Sequence, residues 1–103
     1  MKNMNQLMKQ AQQMQAKVTA LQSELNAREI ETSTGGGMVK IKINGKQEIL
    51  EVVLNPECVD PSDVEALQDL LKASVNQAIN ESQEMVNKAM SKVTGGLNIP
   101  GLF

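Results

Sequence analysis

The chain opens with apolar residues at Met4, Leu7, Ala11, Met14, Val18, Leu21 and Leu25, spaced alternately three and four apart. This is an a/d heptad seam. The positions between are mostly Gln, Asn, Lys and Ser among good helix formers, so the spacing predicts one long amphipathic helix. A helix of about 25 residues is about 38 Å long, more than a small domain covers by itself. The seam therefore needs a second helix. Packing on another helix of the same chain is the plainer expectation, and a subunit contact is the alternative.

The period then changes to two. Glu29-Ile30-Glu31-Thr32-Ser33 reads as a strand, Gly35-Gly36-Gly37 interrupts it, and Val39-Lys40-Ile41-Lys42-Ile43 alternates apolar and basic residues over a second strand. Asn44-Gly45 predicts a type I′ hairpin turn, whose central residues need positive φ. A third strand follows from Glu48 to Leu54, ended by Asn55-Pro56. It carries Ile49, Leu50, Val52, Val53 and Leu54, apolar on both faces, whereas the second strand has one apolar face. A three-stranded sheet also leaves two edges unpaired, and pairing with a second copy would remove that liability. Ile49, Leu50, Val52 and Leu54 are the candidate dimer interface.

Asp60-Pro61-Ser62-Asp63 predicts a helix start, with Asp60 as cap, Pro61 in the first turn and acids near the positive end of the dipole. Val64, Leu67, Leu70, Leu71, Val75, Ala78, Ile79, Val86, Ala89 and Val93 continue a second long helix until Gly95-Gly96 stops it. Its stripe is broad enough to touch both the sheet and the first helix. The reading is a single α+β domain over residues 1–94 in the order α-β-β-β-α, with a three-stranded antiparallel sheet. Residues 95–103 form a tail expected to be mobile unless a partner orders it.

Composition narrows function further. With no His among 103 residues, a Ser-His-Asp triad, a Cys-His pair and imidazole metal ligands are all excluded. The one cysteine, Cys58, allows no internal disulfide or thiolate metal site, has no basic neighbour, and reads as a small buried hydrophobe. Phe103 is the one aromatic residue, which argues against recognition of single strands by stacking. No signal peptide and no membrane-length apolar run is present, so a cytosolic protein is expected. The glycine run lacks the Gly-Lys-Ser/Thr of a phosphate loop, and the acids Asp60, Asp63, Glu65 and Asp69 lack calcium-loop spacing. No enzyme, metal, cofactor or small-molecule substrate is expected.

The net charge of −2 hides an uneven distribution. Residues 1–23 hold Lys2, Lys9 and Lys17, and residues 85–103 hold Lys88 and Lys92, with no acid in either segment. All twelve acids lie between, against five bases. Antiparallel helices would bring the two basic segments together at one end, an arrangement suited to phosphates without reading sequence. The plain alternative is that these lysines are ordinary solvated helix faces. Six of the seven methionines fall in the same two segments, where adaptable helix packing is the default reading.

The stretch Met8-Lys9-Gln10-Ala11-Gln12-Gln13-Met14-Gln15, the glycine run followed by Met38-Val39-Lys40, and the Ile43-Asn44-Gly45 turn carry a resemblance, continued by Val59-Asp60-Pro61 with Leu67-Gln68-Asp69-Leu70 and by Ile99-Pro100-Gly101-Leu102-Phe103. In this order they resemble the YbaB/EbfC family of bacterial nucleoid-associated proteins over essentially the whole chain. The resemblance implies an intertwined homodimer whose long helices project like tweezers, with a DNA-binding, nucleoid-organising role in the cytoplasm. The expected ligand is duplex DNA, contacted by Lys2, Lys9, Lys17, Lys88 and Lys92. Arg28 and the strand lysines Lys40, Lys42 and Lys46 are second choices. The rival reading is a helical clamp that recruits a protein partner, with DNA association incidental.

Overall fold

A computed structural model describes residues 2–93, with the backbone alone described at position 2. Helix α1 (Lys2–Ala27) leads into strands β1 (Glu29–Thr34), β2 (Val39–Asn44) and β3 (Ile49–Leu54), a short 3-10 turn over Pro56–Cys58, and helix α2 (Val64–Val93). The strands pair antiparallel in the order β1-β2-β3, so β2 is central and the other two are edges. The helix stop at Gly95-Gly96 and the tail over residues 95–103 lie outside the described residues.

The alternation seen in β2 sets the core. Val39, Ile41 and Ile43 are fully buried on one face of the sheet, and Lys40 is exposed on the other. Burying each of these three side chains contributes about 1.5–3 kcal/mol. The covering layer is α2, which turns Ser74, Ala78 and Ser82 toward the sheet at four-residue intervals, all three at 0% exposure. Small side chains let the helix axis approach the strands, while Leu70, Leu71, Val75 and Ile79 fill the flanks. The two buried serines are satisfied. Ser74 Oγ donates to the Leu70 carbonyl at 2.7 Å and shares a hydrogen bond with Thr34, and Ser82 Oγ donates to the Asn44 carbonyl at 2.7 Å.

The β2–β3 connection differs from the expected two-residue type I′ turn. Among the described non-glycine residues Gln47 alone has positive φ (64°), and Gly45 does not share it. The Gln47 N–H donates to the Asn44 carbonyl, and the Asn44 N–H donates to the Glu48 carbonyl. Asn44 Oδ1 accepts from the Lys46 and Glu48 amides at 2.9 and 3.0 Å. This is a longer loop closed by an Asx turn, with Gln47 as its left-handed residue.

Glycine is required at position 45 for space. A Cβ there would lie 1.9 Å from the Leu25 carbonyl oxygen, and the Gly45 N–H donates to the Arg28 carbonyl at 3.1 Å. The end of α1 is thus seated directly on the hairpin. In the β1–β2 connection Gly35, Gly36 and Gly37 all have positive φ, a run that side-chain-bearing residues do not adopt.

The start of α2 also differs from expectation, by one turn. The Asp63 N–H closes a turn onto the Asp60 carbonyl, while the Asp60 carboxylate accepts from the Ser62 hydroxyl and amide. Those two bonds, the hydroxyl first, hold the Asp60 carboxyl below its ordinary pKa. Asp63 then caps the helix, accepting from the Ala66 N–H at 3.2 Å. Cys58 is half-buried, with its thiol directed at the Met38 carbonyl 3.8 Å away.

Two neighbouring substitutions should move stability in opposite directions. Gly45→Ala forces a carbonyl aside and should lower unfolding free energy by about 1–3 kcal/mol in a urea titration. Gln47→Gly relieves left-handed backbone and should raise it by about 0.5–1 kcal/mol.

Candidate nucleic-acid interface

The two helices are antiparallel. Leu25 lies at the hairpin that Ser82 also touches, while Val18 and Met90 line one shallow depression. Levels along the pair therefore match Val18 with Met90, and α1 runs on past the level of Val93, the last described residue of α2. The principal extents of 74 × 21 × 17 Å reflect this overhang.

The overhang divides the heptad seam. Leu25 is fully buried and Leu21 and Val18 are half-buried, as packing within the chain requires. Met14, Leu7 and Met4 are 43%, 64% and 65% exposed. Packing on the described part of α2 thus satisfies only the last part of the seam, whose remainder lies beyond the level of Val93. The methionines divide the same way. Met90 is buried and Met85 half-buried between elements, whereas Met4, Met8 and Met14 are exposed on the arm.

Helical spacing of 100° per residue phases the polar side chains of the arm. Lys9 lies about 160° round from the seam and Lys17 about 85°. Gln6 and Gln13 fall in the same sector, Gln10 lies just outside it at about 60° from the seam, and all five residues are exposed. Position 2 falls at the same angle as Lys9. With no acid in residues 1–23, this face consists of hydrogen-bond donors and positive charge, facing away from the apolar seam. Counting charge alone misses the three glutamines. Phasing every polar residue against the seam finds them.

Lys17, Lys88 and Lys92 occupy one level of the helix pair, since Val18 adjoins Met90, and Lys9 lies about 12 Å farther out. The five lysines expected to meet DNA are not equivalent. Lys88 pairs with Glu84 at 3.3 Å and borders a depression also lined by Glu31 and Glu81. Lys92 lies one turn farther along the same helix face, sharing a second depression with Lys88, Glu84, Asn87 and Ser91.

Two of the second-choice bases sit among acids. Arg28 pairs with Glu24 at 2.7 Å, and Lys42 stands in register between Glu31 and Glu51 across the three strands. Lys40, between Ser33 and Val53, and Lys46 in the hairpin are exposed. The outer face of the sheet alternates in sign, while the arm carries one sign only.

The free edge at β3 is the other distinctive surface. Ile49, Leu50, Val52 and Val53 are 40–48% exposed, and Leu54 is half-buried. Val52 stands opposite the buried Ile41, and Leu54 opposite the buried Val39. These side chains extend the core face of the sheet beyond the reach of α2. The register shift beside Lys42 and Ile43 leaves Leu50 without a direct partner on β2.

Together these features define an elongated α-β-β-β-α protein with a donor-bearing helical arm and an unpaired apolar strand. Residues 1–97 match the YbaB/EbfC DNA-binding family, and the chain belongs to that family. It is 58% identical to a nucleoid-associated protein of Desulforamulus reducens, over 98% of this chain and 96% of the relative. It is 54% identical to a nucleoid-associated protein of Moorella thermoacetica, over 98% of this chain and 97% of that one. The crystal structure of the uncharacterized protein HP0035 from Helicobacter pylori shares the fold, with a TM-score of 0.63 at 22% identity, covering 88% of this chain and 91% of that chain. Among the described residues no helix is long and apolar enough to cross a membrane.

The divided seam has a measurable consequence. Leu25→Ala should cost about 2–5 kcal/mol in denaturant unfolding, while Leu7→Ala in the isolated protein should stay within about 0.5 kcal/mol of the parent.

Proposed function

We propose that the protein is a nucleoid-associated DNA-binding protein of the cytoplasm. It binds duplex DNA as a homodimer with little sequence preference and alters the conformation or organisation of the duplex. The observation that carries this reading is the acid-free donor face of the α1 arm, Gln6, Lys9, Gln10, Gln13 and Lys17. Family membership and the names of the relatives agree with it.

Lysine and amide side chains along a straight helix are suited to phosphate oxygens, which position a protein on a duplex without specifying bases. Lys9 and Lys17 lead, and Lys92 lies level with Lys17. Lys88 contributes less, because Glu84 already engages its ammonium group. The acidic body disfavours lying flat on DNA, so the duplex is met through the arm. The arm and body arrangement requires no catalytic group, metal or cofactor.

If one dimer neutralises about four phosphates, log K should fall against log salt with a slope of about −3.6. Gel-shift titrations at two salt concentrations should show weaker binding by the Lys9→Gln, Lys17→Gln variant, with the slope reduced by about 0.9 for each phosphate no longer neutralised. Unchanged retardation by this variant, or affinity independent of salt, would instead favour the protein-recruiting clamp.

The homodimer reading rests on β3. An edge strand with Ile49, Leu50, Val52 and Leu54 turned partly to water is a template for pairing, and a second copy satisfies both its backbone and its apolar side chains. Val52→Lys should leave the helical circular dichroism intact, because Val52 is 47% exposed within one chain, yet shift sedimentation from twice the chain mass of 11.2 kDa to that mass. A wild-type protein sedimenting as a folded monomer would remove the dimer.

A further inference from the structure

The sheet has a second edge, β1, whose side chains are as acidic as those of β3 are apolar. Its six residues, Glu29–Thr34, pair with β2 in unbroken register and include no proline. The Gly45 N–H donates to the Arg28 carbonyl, which sets the phase of the ladder. By antiparallel alternation Ile30, Thr32 and Thr34 exchange backbone bonds with β2, while Glu29, Glu31 and Ser33 turn their N–H and C=O groups to the open side. We propose that this edge takes up, as a fourth strand, an extended protein segment in which Lys or Arg alternates with apolar residues.

Unpaired, straight backbone accepts another strand, and the side chains beside it decide which. A second copy is disfavoured, because self-pairing centred on Ile30 or Glu31 sets acid opposite acid. A basic segment meets the opposite condition. Ile30, Glu31, Glu81, Glu84, Met85 and Lys88 line one depression between β1 and α2. Ile30 and Met85 are half-buried there, and methionine adapts to varied apolar partners. Glu84 already holds Lys88 at 3.3 Å, so Glu31 and Glu81 leave the depression negative.

The other side of β1 shows what satisfies this strand. There β2 sets Lys42 opposite Glu31 and Ile43 opposite Ile30. A segment with the same alternation, laid on the open side, repeats both pairings: its basic residues meet Glu29 and Glu31, and its apolar residues turn toward Ile30 and Met85.

The probe is a fluorescein-labelled Lys-Val-Lys-Val-Lys-Val peptide, titrated with the full-length protein at low salt and read by anisotropy. Binding should fall about tenfold with Glu31→Lys, which reverses the charge, and about tenfold with Ser33→Pro, which removes an outward N–H while sparing the β2 ladder. The same peptide N-methylated at every amide keeps its charge but cannot pair, and it should bind about tenfold more weakly to the unaltered protein. Amide exchange at Glu31 and Ser33 should slow when the unmethylated peptide binds, with Ile49–Leu54 unchanged.

Absence of binding would overturn the proposal, leaving the acids as guards of the edge. Equal binding by the methylated peptide would overturn it in favour of charge attraction alone, a comparison that holds even where Ser33→Pro prevents folding. Slowed exchange in Ile49–Leu54 instead of β1 would overturn it in favour of the apolar edge. Because β1 belongs to the body and not to the arm, failure of the DNA titration would leave these readings unaffected.

Discussion

The architecture turns on one close approach, the Gly45 backbone against the Leu25 carbonyl. No side chain fits between them, and the Gly45 amide is committed to the Arg28 carbonyl on the same side. From the opposite layer Ser82 reaches the Asn44 carbonyl, so a hairpin, the end of one helix and the middle of another meet within a few residues. This junction fixes the angle at which α1 leaves the body. Everything N-terminal to Val18 is carried outward by the rigidity of the helix.

Much of this is legible in the sequence. The change of period from 3.5 to two at Glu29 marks the end of α1, and β2 declares its buried face through Val39, Ile41 and Ile43. What escapes is tertiary in origin. Asn44-Gly45 has the composition of a two-residue turn, but its glycine is required by the proximity of Leu25, a residue some twenty positions away. Asp60 and Asp63 are both competent caps, and the turn closed between them moves the helix start to the second. The seam shows that α1 needs a partner, but which of its residues face the described part of α2 depends on the junction at Gly45.

The candidate site is legible in the same uneven way. Segregation of acid from base can be counted, and the antiparallel helices bring Lys17 to the level of Lys88 and Lys92 while Lys9 lies farther out along α1. Counting does not reveal which lysines meet acids in space. Lys88 lies one helical turn from Glu84, and Lys42 is flanked by carboxylates only because β1 and β3 pair with β2 in this register. The arm avoids such neutralisation by leaving the body altogether.

That departure gives the molecule a gradient of local stability. Close to Leu25 the backbone amides of α1 sit under tertiary packing, while those around Leu7 depend on intrahelical bonds alone, and a helix of so few unsupported turns is marginal in water. Fraying therefore begins at the tip and is arrested near Val18. Any ligand that grips the outer turns also completes their folding, so part of its intrinsic affinity is spent on ordering backbone. The reach of the arm is inseparable from its softness.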